Sequence, residues 1–249
     1  CGSQRKRYAQ MKQIIIDLEI SPEFTATYGK HHEAQVLEVE RYQYLFCFSY
    51  KEPRGKVITV SLRDFPSYKR QPYNDKMVVK ELHSVLSQYE YVVAHNTKFD
   101  IGFAKTRFMY WELPPIQFPK SFCTLSWARR NLHLNSYSLK NVAHYFKVTE
   151  KMETSKGLWQ RIHYHQDRKA WDEMEKYNAI DVIVTDQIHE KMAAWDAKMI
   201  APRFDSLCQN PRCQSNDVRW HGIRGTKHRF TCRKCGLWGA VKVTSYTLQ

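Results

Sequence analysis

Asp17 and Glu19 stand two residues apart at the end of a short apolar run, Gln13–Leu18. On a strand, period two sends both side chains to one face. Two unit charges ~4 Å apart repel by about 4 kcal/mol at an effective dielectric near ~20. A divalent cation between the acids removes that cost; otherwise one of them reaches solvent past the strand's end. A third carboxylate, Asp100, closes the segment Ala94-His95-Asn96-Thr97-Lys98-Phe99-Asp100, which follows a strand-like run and opens a helix-like one. Ligands of α/β folds collect at such sheet ends, although a helix dipole alone also favours an acid there. The fourth, Asp181, lies on a stripe of Trp171, Met174, Tyr177, Asp181, Val184, Ile188 and Trp195, spaced by helical turns. A carboxylate on a core-facing stripe is costly unless paired or metal-bound; the alternative is an Asp reaching outward at the stripe's edge. Tyr177, one turn before Asp181, brings its hydroxyl to the same side.

A second set of residues is built for a different metal. Cys208-x4-Cys213 and Cys232-x2-Cys235 form two close pairs 18 residues apart. Such pairs across a short β-rich stretch suit one tetrahedral Zn²⁺. Four thiolates close the shell, which makes the ion structural and leaves His221 and His228 as spare ligands. The segment is too small for a sizeable core, so the metal supplies much of its folding energy. Around the cysteines, Arg219, Arg224, Lys227, Arg229, Arg233 and Lys234 crowd Trp220, Phe230 and Trp238. Basic groups among aromatics bind phosphates and stack bases. Two other readings stay open: a protein-docking surface, or a miniature core of aromatics under solvated charges.

The whole chain carries 39 Lys+Arg against 25 Asp+Glu, net +14. Such a field attracts polyanions, nucleic acid first. Half of that charge, +7, falls in residues 201–249 (nine Lys/Arg against two Asp/Glu). With 43% hydrophobic residues, wholesale disorder is excluded. No apolar run is long enough to span a membrane, and no secretory signal is visible. Seven cysteines, an odd number, argue against a disulfide framework and for a reducing, cytoplasmic compartment. The chain starts at Cys1, so a leader, a tag remnant or an upstream segment is left open.

The elements that must position these groups follow from periodicity. Residues 1–11 read as a flexible lead-in, 12–200 as the main domain and 201–249 as a small basic one. Gln13–Leu18 predicts a buried strand. Tyr42–Tyr50 and Lys56–Leu62, joined by Glu52-Pro53-Arg54-Gly55, predict a hairpin. Asp75–Glu90 has helical spacing in Met77, Val78, Leu82, Val85 and Leu86. Tyr91–Ala94 predicts a strand, Thr97–Tyr110 a helix, Phe122–Thr124 a strand leading into a helix through Leu132, Ser138–Phe146 a helix, and 168–198 a long one. That order suits a mixed central sheet flanked by helices.

Ile14-Ile15-Ile16-Asp17-Leu18-Glu19, His95-Asn96-Thr97-Lys98-Phe99-Asp100 and Tyr177-Asn178-Ala179-Ile180-Asp181 resemble the three exonuclease motifs of the DEDD superfamily, which includes polymerase proofreading domains. Tyrosine four residues before the last Asp resembles the DEDDy branch; the histidine variant needs His where Lys176 stands. Ser138-Leu139-Lys140 and Lys156-Gly157-Leu158-Trp159 also look like this family. Together with the cysteine pairs, and Gly236 as a knuckle glycine, the chain is similar to polymerase-B-type exonucleases, often phage-encoded, that carry a C-terminal zinc ribbon. The resemblance implies an RNase H-like fold, a mixed five-stranded sheet flanked by helices. It implies 3′→5′ phosphodiester hydrolysis with two Mg²⁺ or Mn²⁺ held by Asp17, Glu19, Asp100 and Asp181, with Asp17 bridging and Tyr177 orienting the water. It also raises a replication or polymerase partner.

The chemistry agrees. Four carboxylates balance two divalent ions, and oxygen donors suit hard cations that bind phosphate. Tyr177, with an ordinary pKa near ~10, is a weak base at neutral pH, hence a positioning role. Asn96 and Phe103 either touch the terminal nucleotide or cap a helix and fill the core. His95 and Lys98 either contact phosphate or sit in a solvated loop. The expectation is an exonuclease acting on DNA, single-stranded or frayed; an exoribonuclease and a catalytically silent nucleic-acid-binding module are the alternatives.

Overall fold

The structure, a computed structural model, describes residues 12–28, 36–149, 152–193, 195, 208, 213, 215 and 217–242. The lead-in 1–11 lies outside the described residues. The chain divides into two compact units, Cys1–Ala194 and Trp195–Gln249.

In the first unit, β1 (Gln13–Ile20) is the middle strand of a five-stranded sheet. On one side it pairs antiparallel with β4 (Leu45–Lys51), which pairs antiparallel with β5 (Ile58–Ser61). On the other it runs parallel to β6 (Tyr91–Ala94), which runs parallel to β7 (Lys120–Cys123). The order is β5-β4-β1-β6-β7, the mixed, helix-flanked, RNase H-like sheet that the strand signals and motifs foretell. β4 and β5 are the expected hairpin, and its turn puts Arg54 at φ 63. The parallel strand β6 is buried along its whole length, as a strand covered on both faces must be.

Period two sorts β1. Ile14, Ile16 and Leu18 enter one core layer with Val78, Leu82 and Leu86 of α1 (Lys76–Ser87) and Ala104 and Phe108 of α2 (Thr97–Tyr110). Ile15 enters the other, with Trp127 of α3 (Thr124–Asn131), Val142 of α4 (Leu139–Phe146), and Val184 and Ile188 of α6 (Arg168–Ala193). Asp17 and Glu19 continue the parity of Ile15, so the strand that builds the core also aims two acids at one side. Each large aliphatic so buried contributes about 1.5–3 kcal/mol. The fully buried Asp75 carboxylate accepts from Arg107 Nε (2.9 Å), Trp111 Nε1 (2.7 Å) and Leu45 N–H (2.8 Å), tying β4 to both ends of the α1–α2 layer. Lys51 and Asp186 pair between β4 and α6.

Some expectations change. Met77 is 42% exposed and Val79 takes the core position, so the buried face of α1 is turned by about one residue. Trp195, read as the end of the Asp181 stripe, falls in the second unit and is 78% exposed. Further elements are additional: a two-stranded sheet of β2 (Phe24–Thr27) and β3 (Val36–Arg41), two 3₁₀ turns (Leu62–Asp64 and Pro66–Lys69), and the short helix α5 (Leu158–His165), bounded by left-handed Gly157 and Gln166.

The second unit contains β8 (Val218–Arg224), β9 (Lys227–Cys232) and β10 (Trp238–Lys242), antiparallel in the order β10-β9-β8. Phe230 is fully buried opposite Gly239, where a Cβ would come within 2.3 Å of the ring. Only glycine lets the two strands close over that ring.

Candidate active site

The strand β1 and the helix α6 bring the acids together. Asp17, Glu19 and Asp181 each place a carboxylate oxygen within 4.8 Å of the other two. Asp181 is 3% exposed, so the acid on the stripe faces inward. Asp100, in the first turn of α2 and 4% exposed, stands outside that trio but feels it. Burial, and next the charge of Asp17, push its carboxyl well above the ordinary range, against backbone hydrogen bonds at Asp100 and Leu18 that favour the charged form. Four acids from three distant stretches of chain thus share one region of the sheet. Like charges so close and so dry are unfavourable until a cation joins them. Their hard oxygen donors fit Mg²⁺ or Mn²⁺.

Asn178 adds a feature that the sequence reading passed over. It is fully buried, and its Nδ2 donates to Asp17 Oδ2 at 2.7 Å and to the Asp17 backbone oxygen at 3.2 Å. It thereby fixes the rotamer of the acid on the middle strand. The signal was its place three residues before Asp181, on the same helix face. Tyr177 is half-buried, its ring edge-on to Trp159 of α5 with centroids 6.2 Å apart. The additional helix α5 is therefore part of what positions the tyrosine.

The proposed nucleotide contacts divide. His95 lies between Thr124 Oγ1 (2.9 Å) and the Tyr137 carbonyl (3.0 Å). Both ring nitrogens are engaged in bracing the turn. Asn96 sits at φ 87, exposed, and its side chain makes no cap bond, so the capping alternative falls away. Lys98 is exposed. Phe103 packs partly buried against the core and stacks at 6.5 Å on Phe99, which is 45% exposed.

In the second unit, sulfur atoms of Cys208, Cys213, Cys232 and Cys235 lie within 4.8 Å of one another. None of the four is in a disulfide; Cys208–Cys235 and Cys213–Cys232 approach at 3.3 and 3.7 Å. The Leu237 backbone, then Cys208, lower the Cys235 thiol to about 7, toward the thiolate a metal needs. Gly236 takes φ 75 and donates its N–H to Cys232 O at 2.9 Å, the tight turn expected of a knuckle. His221 and His228 stand apart from the cysteine cluster: His221 bonds Thr231 Oγ1 (2.6 Å) and stacks on Trp238, and His228 lies against Trp220. Among the described residues no helix is long and apolar enough to cross a membrane.

The fold is similar to that of a family B DNA polymerase from the hyperthermophilic archaeon Pyrobaculum calidifontis, with a TM-score of 0.56 at 14% identity, over 73% of this chain and 24% of the polymerase. The chain thus corresponds to about a quarter of that polymerase's length. A search of the curated proteins found no match. The model of the RNase_H superfamily family RNase_H_2 matches residues 54–193, which include Asp100, Tyr177 and Asp181 and begin after Asp17 and Glu19. That match spans more than half of the 249 residues, and the chain belongs to the RNase_H superfamily.

Proposed function

We propose that the first unit is a metal-dependent 3′→5′ exonuclease of the DEDDy type, hydrolysing DNA at single-stranded or frayed ends. The observation that carries this reading is the convergence of Asp17, Glu19 and Asp181 within 4.8 Å, with buried Asp100 beside Asp17. In this reading these four carboxylates would hold two Mg²⁺ or Mn²⁺. Two such ions, when bound, lower the pKa of an attacking water and steady the charge on the leaving 3′-oxygen. The side chains do the rest. Asn178 keeps Asp17 in one rotamer. Tyr177, held by Trp159, offers its hydroxyl to orient the water. Asn96 and Lys98, both exposed beside Asp100, contact the terminal nucleotide and its phosphate, and Phe103 backs Phe99 under the base. In the second unit the four thiols hold one structural Zn²⁺, for which a soft, closed sulfur set is suited.

The nucleic-acid substrate is consistent with the net charge of +14. The likeness to a DNA polymerase favours DNA over RNA and a replication setting. Incubation of 3′- and 5′-labelled DNA and RNA strands with Mn²⁺ or Mg²⁺ tests all of this. Stepwise shortening of DNA from the 3′ end is expected. Shortening of RNA alone would make the chain an exoribonuclease, and retention of bound strands uncut would make it a silent binding module.

A further inference from the structure

The ribbon's sheet has two unlike faces. Cross-strand partners share a face, so the row Gly239–Phe230–Trp220 belongs to one side and the row Trp238–Thr231–Arg219 to the other. The first side is the miniature core: Phe230 is fully buried and Trp220 meets it edge-on with centroids 5.5 Å apart. The second side is open. Trp238 is 62% exposed and lies stacked on His221 with centroids 4.5 Å apart and planes 24° apart. His221 is itself fixed by its bond to Thr231. Arg219 and, two residues from Thr231, Arg229 stand exposed on the same face. Trp238, His221, Thr231 and Arg219 line a groove of about 640 Å³ with Arg233 at its rim, where Asp217 approaches at 3.8 Å. The sequence offered the aromatics either as a core or as a stacking surface. The structure divides them, giving Phe230 to the core and leaving Trp238 braced, flat and uncovered.

We propose that this face is a second nucleic-acid site, which takes a single strand by stacking a base on the Trp238–His221 pair and placing flanking phosphates against Arg219 and Arg229. Burying a rigid, pre-stacked indole costs little ordering entropy, and every base has a π-face to offer. The charge concentrated in residues 201–249, net +7, is the complement of a phosphate chain. The occupant is a single strand and not a duplex, because an unpaired base must present its face to the indole. The choice of nucleic acid over other polyanions rests on the nuclease reading of the first unit.

The test uses the full-length chain with its zinc and without added divalent ions, so that binding is read independently of cleavage. A fluorescein-labelled oligothymidylate and an abasic strand of equal length are the probes. Trp238→Ala is expected to weaken the oligothymidylate by about tenfold, the size of one lost stack, and to leave the abasic strand unchanged. Arg219→Ala and Arg229→Ala should each reduce the slope of log affinity against log salt by about 0.7 for both probes. Zinc content of the variants reports whether the ribbon stays folded. Wild-type affinity in a zinc-loaded Trp238→Ala variant would overturn the proposal. Should a variant lose zinc, photocrosslinking of the unaltered chain to an iodouracil strand decides: adducts within 218–242 support the site, and adducts confined to the first unit refute it. A chain that holds strands through Trp238 yet cuts none would end the nuclease reading and keep this one; cutting without ribbon adducts would do the reverse.

Discussion

The acidic pocket and the cysteine cluster are both metal-shaped, yet they stand in opposite relations to their surroundings. Around Asp17 and Glu19 the core is complete without any ion: Ile14, Ile15, Val92, Val93, Phe46 and Phe48 are all at 0% exposure. Around the four cysteines, Phe230, Cys208 and Cys232 are the buried apolar residues among those described, and Trp220, Leu237 and Trp238 are exposed. A pocket set into a finished core can afford repulsive acids, because the fold is held elsewhere. A unit with so few buried apolar residues among those described would depend on the metal proposed for it. On the proposed reading one ion type would serve reaction and the other folding, and the two would be removable separately.

The largest expected effect is on the ribbon. Structural zinc supplies about 10–16 kcal/mol in small modules of this kind, far more than one buried phenylalanine. A zinc chelator should expose residues 208–242 to protease while the first unit keeps its melting temperature. An unchanged digestion pattern after chelation would show that the ribbon has a core of its own. The converse holds at the acids. On the proposed reading Asp17→Ala or Asp181→Ala removes one metal ligand, so cleavage should fall by about three orders of magnitude or more. The thermal midpoint should hold or rise, because a repulsive carboxylate has gone. Normal digestion by either variant would remove the site.

The first unit also has a polar group that does belong to the fold. Asp75 is wholly buried and Arg107 is 8% exposed at the side chain. Arg107→Ala strands the Asp75 charge, and breaking such a pair by removing one partner costs about 3–5 kcal/mol. A urea midpoint lowered accordingly, at unchanged slope, with the cleavage rate of the remaining folded fraction intact, separates this pair from the catalytic acids. Tyr177→Phe probes the other side of that division. It deletes a positioning bond and no ligand, so a slowing of about 10–100-fold is expected with stability unchanged. Wild-type speed would mean that another group holds the water.

What the sequence disclosed and what it withheld have physical causes. β1 was legible as a short apolar run, the inward face of α6 as a stripe sustained over several turns, and the cysteine pairs because their spacing is itself the geometry of the site. Asp75 opens the helical run read over Asp75–Glu90, and its side chain turns to Arg107, 32 residues away; no local pattern encodes such a partner. β2 and β3 carry no clear alternation, since the side chains of both are only partly buried or exposed. α5 is half aromatic and histidine (Trp159, His163, Tyr164 and His165), residues of weaker helix propensity. Asn178 was printed between two assigned residues, but a buried amide reads as polar until its partner, the Asp17 carboxylate, is placed.

The smallest effect expected concerns acid. His163, 5% exposed, lies under Phe24 with ring centroids 3.7 Å apart and takes a hydrogen bond from the Tyr44 hydroxyl at 2.9 Å. Burial, and then the Arg41 cation, lower its pKa from 6.5 to about 4. The folded state therefore holds His163 neutral, while the unfolded chain protonates it below about 6.5. Stability from this group is fully present above that pH and is lost as pH falls toward about 4. In the second unit, with zinc held as proposed, acid would act differently, by protonating the thiolates and releasing the metal. Amide exchange in β4, which belongs to the first unit, isolates the histidine. Protection there should decline from pH 6.5 toward 4 in the unaltered chain and decline less in His163→Gln, which has no charge to gain. Equal slopes would show that the acid sensitivity of the first unit arises from its carboxylates instead.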